Sequence, residues 1–352
     1  MTAKDYKNTS RLFVALFLLL GTGNGCVQRE NAVDFSLAEA TAYQVEQFDV
    51  QEKVEIGHPG MVSFWDTETV IVADRVLPSL LSLVNLHSGE TKHFLKMGRG
   101  PGECLDINTL TVQDKKIYVF SPSSKKIIVL QPAQDEEQRF ALAEEATIEK
   151  ECVRVIPTKK GGYIGTPIKG DRFLLFDRAG FAIESHGSFP AVDGAEEAIN
   201  NNTFQSRFAF SPDGKHFCSA YHDMDFVEIY SGDFRYVKRL WGPEPFIPTA
   251  KKYEREGYNL YVSEPQKEVY YMISTSNCGF IVGYVGHLFK DRNDPSRCTK
   301  ELHYFDWNGN FLARYILPQE VAFFDVDWEN GRMCGVTFEA EPKLVLAELE
   351  GL

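Results

Sequence analysis

Phe204-Gln205-Ser206-Arg207-Phe208-Ala209-Phe210, followed by Ser211-Pro212-Asp213-Gly214 and then by Lys215 to Tyr221, is the stretch that decides the fold. The first and last parts are rich in Phe, Tyr and other strand-forming residues, and the middle is a turn. Proline-aspartate and aspartate-glycine pairs supply the backbone conformations that a tight hairpin needs. The pattern then continues: His222-Asp223-Met224-Asp225 turns, Phe226 to Tyr230 is strand, Ser231-Gly232-Asp233 turns, and Arg235 to Trp241 is strand. Residues 204–241 thus predict four short antiparallel strands joined by tight turns.

The same unit recurs along the chain. Polar turns anchored at Asp66, Asp114, Lys160, Asp213, Asn277 and Asn330, each between apolar runs, are spaced by 48, 46, 53, 64 and 53 residues. A period of about 40–50 residues filled with short strands marks a propeller blade. The second repeat reads as strands at 109–112, 116–120, 126–130 and 138–142. Outer hairpins follow at 173–177 with 181–186 and at 302–305 with 310–316. The last repeat has three strands, 322–327, 332–338 and 343–349, which leaves an unpaired edge. Tyr43 to Ile56 alternates in the strand manner and is expected to pair beside Lys343 to Leu349, closing a ring. The expected fold is all-β: one six-bladed β-propeller of four-stranded blades over residues 42–352.

The ends and the charge say where such a domain goes. Lys4, Lys7 and Arg11 precede an unbroken apolar run from Leu12 to Leu20. Crossing a bilayer takes about twenty apolar residues, so residues 1–25 read as a secretory signal peptide. Leu20-Gly21-Thr22-Gly23-Asn24-Gly25-Cys26 resembles a bacterial lipobox, which implies acylation of Cys26. Gly23 and Asn24 depart from that pattern, and the alternative is cleavage that leaves a free cysteine. Residues 26–41 are expected to be the lipidated cysteine and a tether. Removing residues 1–25, with three basic groups and one acid, takes the formal charge from −13 to −15. So acidic a domain is a poor partner for nucleic acid and for anionic headgroups, which leaves the lipid as the membrane anchor. A monomer in the bacterial cell envelope, as an outer membrane lipoprotein, is the expectation.

Cys104, Cys152, Cys218, Cys278, Cys298 and Cys334 fall about one per repeat. The strand between Cys278 and Cys298 would separate them by roughly 25 Å, beyond the reach of about 7 Å of a disulfide. Cys104 with Cys152 is geometrically possible; buried free thiols are the expected state. No Cys-x-x-Cys or histidine cluster suggests structural zinc. Two segments lengthen the repeats. Pro243 to Glu264 reads as a surface loop with a short helix or as a lid over one mouth of the channel. The other is Ala191 to Asn202, which runs into an Asn201-Asn202-Thr203 acceptor.

Two motifs carry a resemblance. Phe208-Ala209-Phe210-Ser211-Pro212-Asp213-Gly214-Lys215 resembles the inner-hairpin signature of TolB-type propellers. Gly98-Arg99-Gly100-Pro101-Gly102-Glu103 resembles a segment found early in six-bladed TolB-like propeller lipoproteins. With the signal peptide, the cysteine and the length, the chain is similar to that family throughout. Physically, the glycines of this second motif either line an anion-binding nest beside Arg99 or let the chain pass between blades. His222, Asp223, Asp225 and Glu228 lack the pattern of a calcium loop and read as a polar turn.

Three functions remain open, since propellers host many. The first is a non-catalytic binding protein holding a protein, peptide or glycan, with no cofactor; no catalytic motif is recognisable. The second is a hydrolase of the lactonase type with a divalent metal, calcium being the expected ion, drawing on Glu103, Asn108, Asp325 and Asp327. The third is a small-anion sensor using Arg99, Arg154 and Arg207. Asn108, Arg154, Gln205 and Arg207 fall on or beside inner strands, where one residue of register slip turns each side chain away. The candidate ligand-binding residues are Arg99, Glu103, Asn108, Arg154 and Arg207, with Cys26 for lipid attachment.

Overall fold

The alternation that marks each repeat becomes strand throughout the computed structural model. It describes residues 32–74, 78–134, 139–189, 204–255, 258–264, 267–288, 298–337 and 339–352. Every regular element among them is a β-strand. The first sheet is a meander of Pro59–Phe64, Thr69–Asp74, Ser79–Asn85 and Thr91–Lys96. The second has Thr109–Gln113, Lys116–Ser121, Lys126–Pro132 and Phe140–Thr147, and the third Cys152–Pro157, Tyr163–Pro167, Phe173–Phe176 and Ala182–His186. The fourth has Ser206–Phe210, His216–Tyr221, Phe226–Ser231 and Tyr236–Trp241, as the opening stretch predicts. These are the sheets of a β-propeller.

The core lies between sheets, and single strands show how. Thr69–Asp74 is buried along its whole length. Its Val70 and Val72 pack with Cys334, Val336 and Leu344 near the C-terminus, while Ile71 and Ala73 pack with Ile117, Val119 and Ile128 of the second sheet. In the second sheet Ile127 and Val129 face the third, opposite to Ile128. A strand with both faces covered must be apolar at every position rather than at every second one. The turns obey local chemistry as well: Asp114 and Lys115 both have positive φ, as a two-residue hairpin turn requires. At Gly180, with φ of 90°, a Cβ would meet the Thr147 carbonyl oxygen at 2.2 Å, so only glycine fits.

The structure departs from the sequence reading in four places. The fifth and last repeats form one continuous eight-stranded sheet, because Phe311–Asp327 runs unbroken between them. The predicted outer strand of one repeat and inner strand of the next are two ends of that strand. Second, Tyr43 to Ile56 does not pair as a unit. Only Asp49–Val50 pairs with Leu344–Glu348, antiparallel, whereas Thr41–Gln44 runs parallel to Phe311–Asp327, Thr41 opposite Ala313. Third, the expected tether is engaged from Ala32 on. Ala32–Asp34 adds a parallel fifth strand beside Tyr236–Trp241, and Phe35 is buried against Phe305 and Phe311 with ring centroids at 5.0 and 4.8 Å. One aromatic anchor and two open sheet edges suffice to dock a stretch with little periodicity. Fourth, the described residues of the long insertion hold no helix. Thr249–Arg255 and Tyr258–Glu264 form a two-stranded hairpin.

All six cysteines after Cys26 are free, with Cys278 exposed and the other five buried. Burial pushes the Cys104 and Cys152 thiols up to about 12. The signal segment, Cys26, Ala191 to Asn202 and the Asn201-Asn202-Thr203 acceptor lie outside the described residues.

Candidate functional site

A cavity of about 400 Å³ opens between the sheets, lined from six strands. Pro59–Phe64, Thr109–Gln113, Cys152–Pro157, Ser206–Phe210, Lys267–Thr275 and the end of Phe311–Asp327 each contribute. These are the innermost strands of their repeats, so the cavity lies on the axis of the propeller.

Two arginines reach it. On Ser206–Phe210 burial alternates at the start of the strand: Ser206 and Phe208 are buried and Arg207 between them is half-buried, and residues 207–210 line the cavity. On Cys152–Pro157 the register shifts between Cys152 and Arg154, whose partners are Pro167 and Thr166. An extra residue of this kind re-aims the side chain after it. Arg154 lines the cavity although only 6 % exposed. Its Nε and Nη1 are buried with no hydrogen-bond partner among the described residues, and so is Nε of Arg207. The Arg207 guanidinium lies 5.5 Å from the centre of the Tyr271 ring, and its Nη1 donates weakly to the Asn108 carbonyl at 3.5 Å.

The electrostatics state what is missing. Burial, then the Arg207 charge, pushes the Arg154 guanidinium well below its usual range, and burial lowers Arg207. Arginine keeps its proton in proteins, so this strain expresses an unmet demand for negative charge. A buried cation without a partner costs several kcal/mol, and buried donors are nearly always satisfied. The arrangement therefore suits an anion that enters from solvent.

The other sequence candidates separate. Arg99 is exposed on its glycine loop, and neither it nor Glu103 lines the cavity. The glycine loop folds around its own acid. The Glu103 carboxylate accepts the Gly100 N–H at 2.9 Å and sits where a Cβ on Gly98 would be. Lys126 caps the Gly100 carbonyl at 3.0 Å, and Gly102 N–H donates to Glu145. Asn108 stays with the arginines: its Oδ1 is buried and unpartnered.

The acids assigned to a metal do not fit one. Asp325 lines the cavity but already accepts four hydrogen bonds, from Ser274 Oγ (2.7 Å), Val326 N–H (2.9 Å), Ser63 Oγ and Phe64 N–H (both 3.0 Å). Asp327 holds Asn330 and Arg332. Among the described residues no three His, Cys, Asp or Glu gather around one point.

Residues 222–225 form a turn, as the sequence suggests, but one that reaches into the interior. Asp225 is fully buried, accepting Glu244 N–H at 2.8 Å and Tyr270 Oη–H at 3.1 Å. Glu228 takes Arg239 and the hydroxyls of Tyr221 and Tyr230. His222 lies 5.4 Å from the Tyr271 ring with Nε2 buried and unpartnered. Nothing in the local sequence separates a buried turn of this composition from a solvated one.

Comparison with known proteins bears on the fold. Among solved structures, a protein from Bacteroides fragilis described only as exported aligns at 9% identity with TM-score 0.51, covering 88% of this chain and 98% of that one. The β-propeller domain of Cps50 (Swd1) from Myceliophteria thermophila aligns at 8% identity, 86% and 98% coverage and TM-score 0.47. Raptor from Chaetomium thermophilum aligns at 12%, 88% and 29% coverage and TM-score 0.49. Such identities speak to fold alone. No curated protein matches the sequence. The description of TolB-like 6-blade propeller-like proteins, by contrast, matches residues 42–329. With its meandering sheets around a common axis, the chain belongs to the TolB-like 6-blade propeller-like family.

Proposed function

We propose that this chain is an exported, lipid-anchored, non-catalytic propeller that binds a small anionic group in its axial cavity. The observation that carries the reading is the pair Arg154, buried, and Arg207, half-buried, on separate inner strands that line one cavity, each with a buried donor that has no partner among the described residues. A cavity of this size admits a small molecule or one acidic group of a glycan or peptide, rather than a protein surface. In this reading the ring has six blades. The eight-stranded sheet supplies the last two, and Asp49–Val50 on Leu344–Glu348 closes them. The six strands that line the cavity support that count. Lys4, Lys7, Arg11, the run Leu12 to Leu20 and Cys26 support export to the envelope and an outer membrane anchor.

The test is a calorimetric titration of residues 27–352 with inorganic sulfate, inorganic phosphate and citrate. Binding of at least one anion is expected, weakened about 10-fold or more by Arg154→Ala or Arg207→Ala, since a hydrogen bond to a charged group contributes ~1.5–3 kcal/mol. Anion binding indifferent to both substitutions would sink the reading.

A further inference from the structure

The two arginines are not alone. His222 belongs to the turn after His216–Tyr221, and its main chain is fixed on both sides: its N–H donates to the Gln205 carbonyl, and its carbonyl accepts the Val269 N–H at 2.6 Å. The imidazole therefore has a set position between the fourth sheet and Lys267–Thr275. Tyr271 connects it to the cavity arginines, for the His222 ring lies at 5.4 Å and the Arg207 guanidinium at 5.5 Å from the tyrosine ring. Nε2 of His222 is buried and makes no hydrogen bond among the described residues. The imidazole shares the Tyr271 ring with Arg207 and, like both arginines, has unused hydrogen-bonding capacity, although neither it nor Tyr271 lines the cavity itself.

We propose that His222 is the third group that contacts the anion, and that the anion seats with uptake of one proton onto its imidazole. The inference rests on the anion-binding reading of Arg154 and Arg207 and gives it a ligand class: a doubly charged oxyanion, sulfate or phosphate, as the free ion or as an ester. Two fixed guanidinium charges without a carboxylate partner ask for more than one negative charge. Three donors approaching from different strands suit a tetrahedral group better than a planar carboxylate.

The charges around His222 give the direction of the coupling. The cavity presents Arg154 from Cys152–Pro157 and Arg207 from Ser206–Phe210, and Lys267–Thr275 presents Tyr271 and Glu268. On its own turn are Asp223 and Asp225. Asp225 is held by Glu244 and Tyr270, and Asp223 and Glu268 have interactions of their own. Burial, then Arg154 and Arg207, pushes the imidazole well below its usual range, so the empty site holds it neutral. A dianion between the arginines cancels the repulsion that keeps the proton away. The imidazole then gains both a proton and an oxygen to donate to. By linkage, binding tightens as pH falls.

Inorganic sulfate is the probe, because it does not itself titrate between pH 5.5 and 8. Calorimetry on residues 27–352 in two buffers of different ionisation enthalpy counts the protons taken up. The expected result is uptake approaching one proton per sulfate and affinity rising several-fold from pH 8 to 5.5. In His222→Gln, which keeps an N–H donor but cannot titrate, sulfate should still bind while uptake and pH slope vanish. A monosaccharide sulfate ester run beside the free ion distinguishes the sources, the tighter of the two being the ligand form, each with the same uptake. Sulfate binding that depends on Arg154 and Arg207 but takes up no proton, or takes up as many in His222→Gln, overturns the inference and leaves the anion site standing. Sulfate binding indifferent to Arg154→Ala and Arg207→Ala removes both.

Discussion

At the residue scale the molecule tolerates an unusual cost. Arg154 is held as a buried cation and Arg207 as a half-buried one, neither with a carboxylate partner among the described residues, an arrangement that a protein selected only for stability would replace with apolar side chains. Arg154→Met should therefore raise the thermal midpoint of the anion-free protein by on the order of 2 °C per kcal/mol recovered, while abolishing the anion-induced rise seen in the parent. A lowered midpoint in the anion-free protein would show that the guanidinium is structural. Asp225 gives a second residue-level expectation. Burial raises its carboxyl to about 6, against the hydrogen bonds from Glu244 and Tyr270. A folded-state value above the unfolded one of about 3.9 means that the native state binds the proton more tightly. The resulting stabilisation is complete below about pH 4 and lost as pH rises through about 6. Asp225→Asn, which stays neutral, should differ from the parent in a pH-dependent way within that window, by up to ~3 kcal/mol. Chemical denaturation between pH 4 and 7 measures this; a difference constant with pH refutes it.

At the element scale the N-terminal segment matters most. Ala32–Asp34 and Thr41–Gln44 cover the outer edges of two neighbouring sheets, with Phe35 between them as an anchor. Covering edges removes a template for unwanted strand pairing. Phe35→Ala should cost about 3 kcal/mol or more, as large-to-small changes at buried aromatics do, and a chain starting at Thr41 should lose at least as much. Urea unfolding reads both. A loss under about 1 kcal/mol would mean that this packing contributes little in solution. Strands of the fourth repeat were legible to within a residue or two, because dense aromatic alternation and a proline-aspartate-glycine turn act locally. The N-terminal strands were not, for three or four residues paired to a distant edge carry no periodic signal of their own.

At the scale of the whole molecule, Asp325 ties the last repeat to the first sheet and to the fifth repeat. Its oxygens accept from Ser63 and Phe64 of the first sheet, Ser274 of the fifth repeat and Val326 beside it. Asp325→Ala leaves several buried donors unsatisfied at about 1–3 kcal/mol each, so a loss above ~3 kcal/mol is expected, with one cooperative transition retained. Asp325→Asn should recover part of it. If both variants unfold like the parent, the carboxylate is no strut. The sequence singled out this acid as a metal ligand because its composition looked right. Only the register shows that its acceptors are already used.

The spacing of turns and the alternation within each repeat determined the strand order and the propeller class, because both follow from local backbone chemistry and from burying one face against the next. The tertiary structure alone decided which side chains meet. Arg154 and Arg207 lie 53 residues apart in the sequence, and a single bulge and the parity of one pleat turn both toward the axis. Glu103, in the more distinctive motif, instead closes on its own loop, and Arg99 there is exposed. His222 joined the site for the same reason: direction in a β-sheet depends on register, and register is fixed by packing between sheets that are distant along the chain.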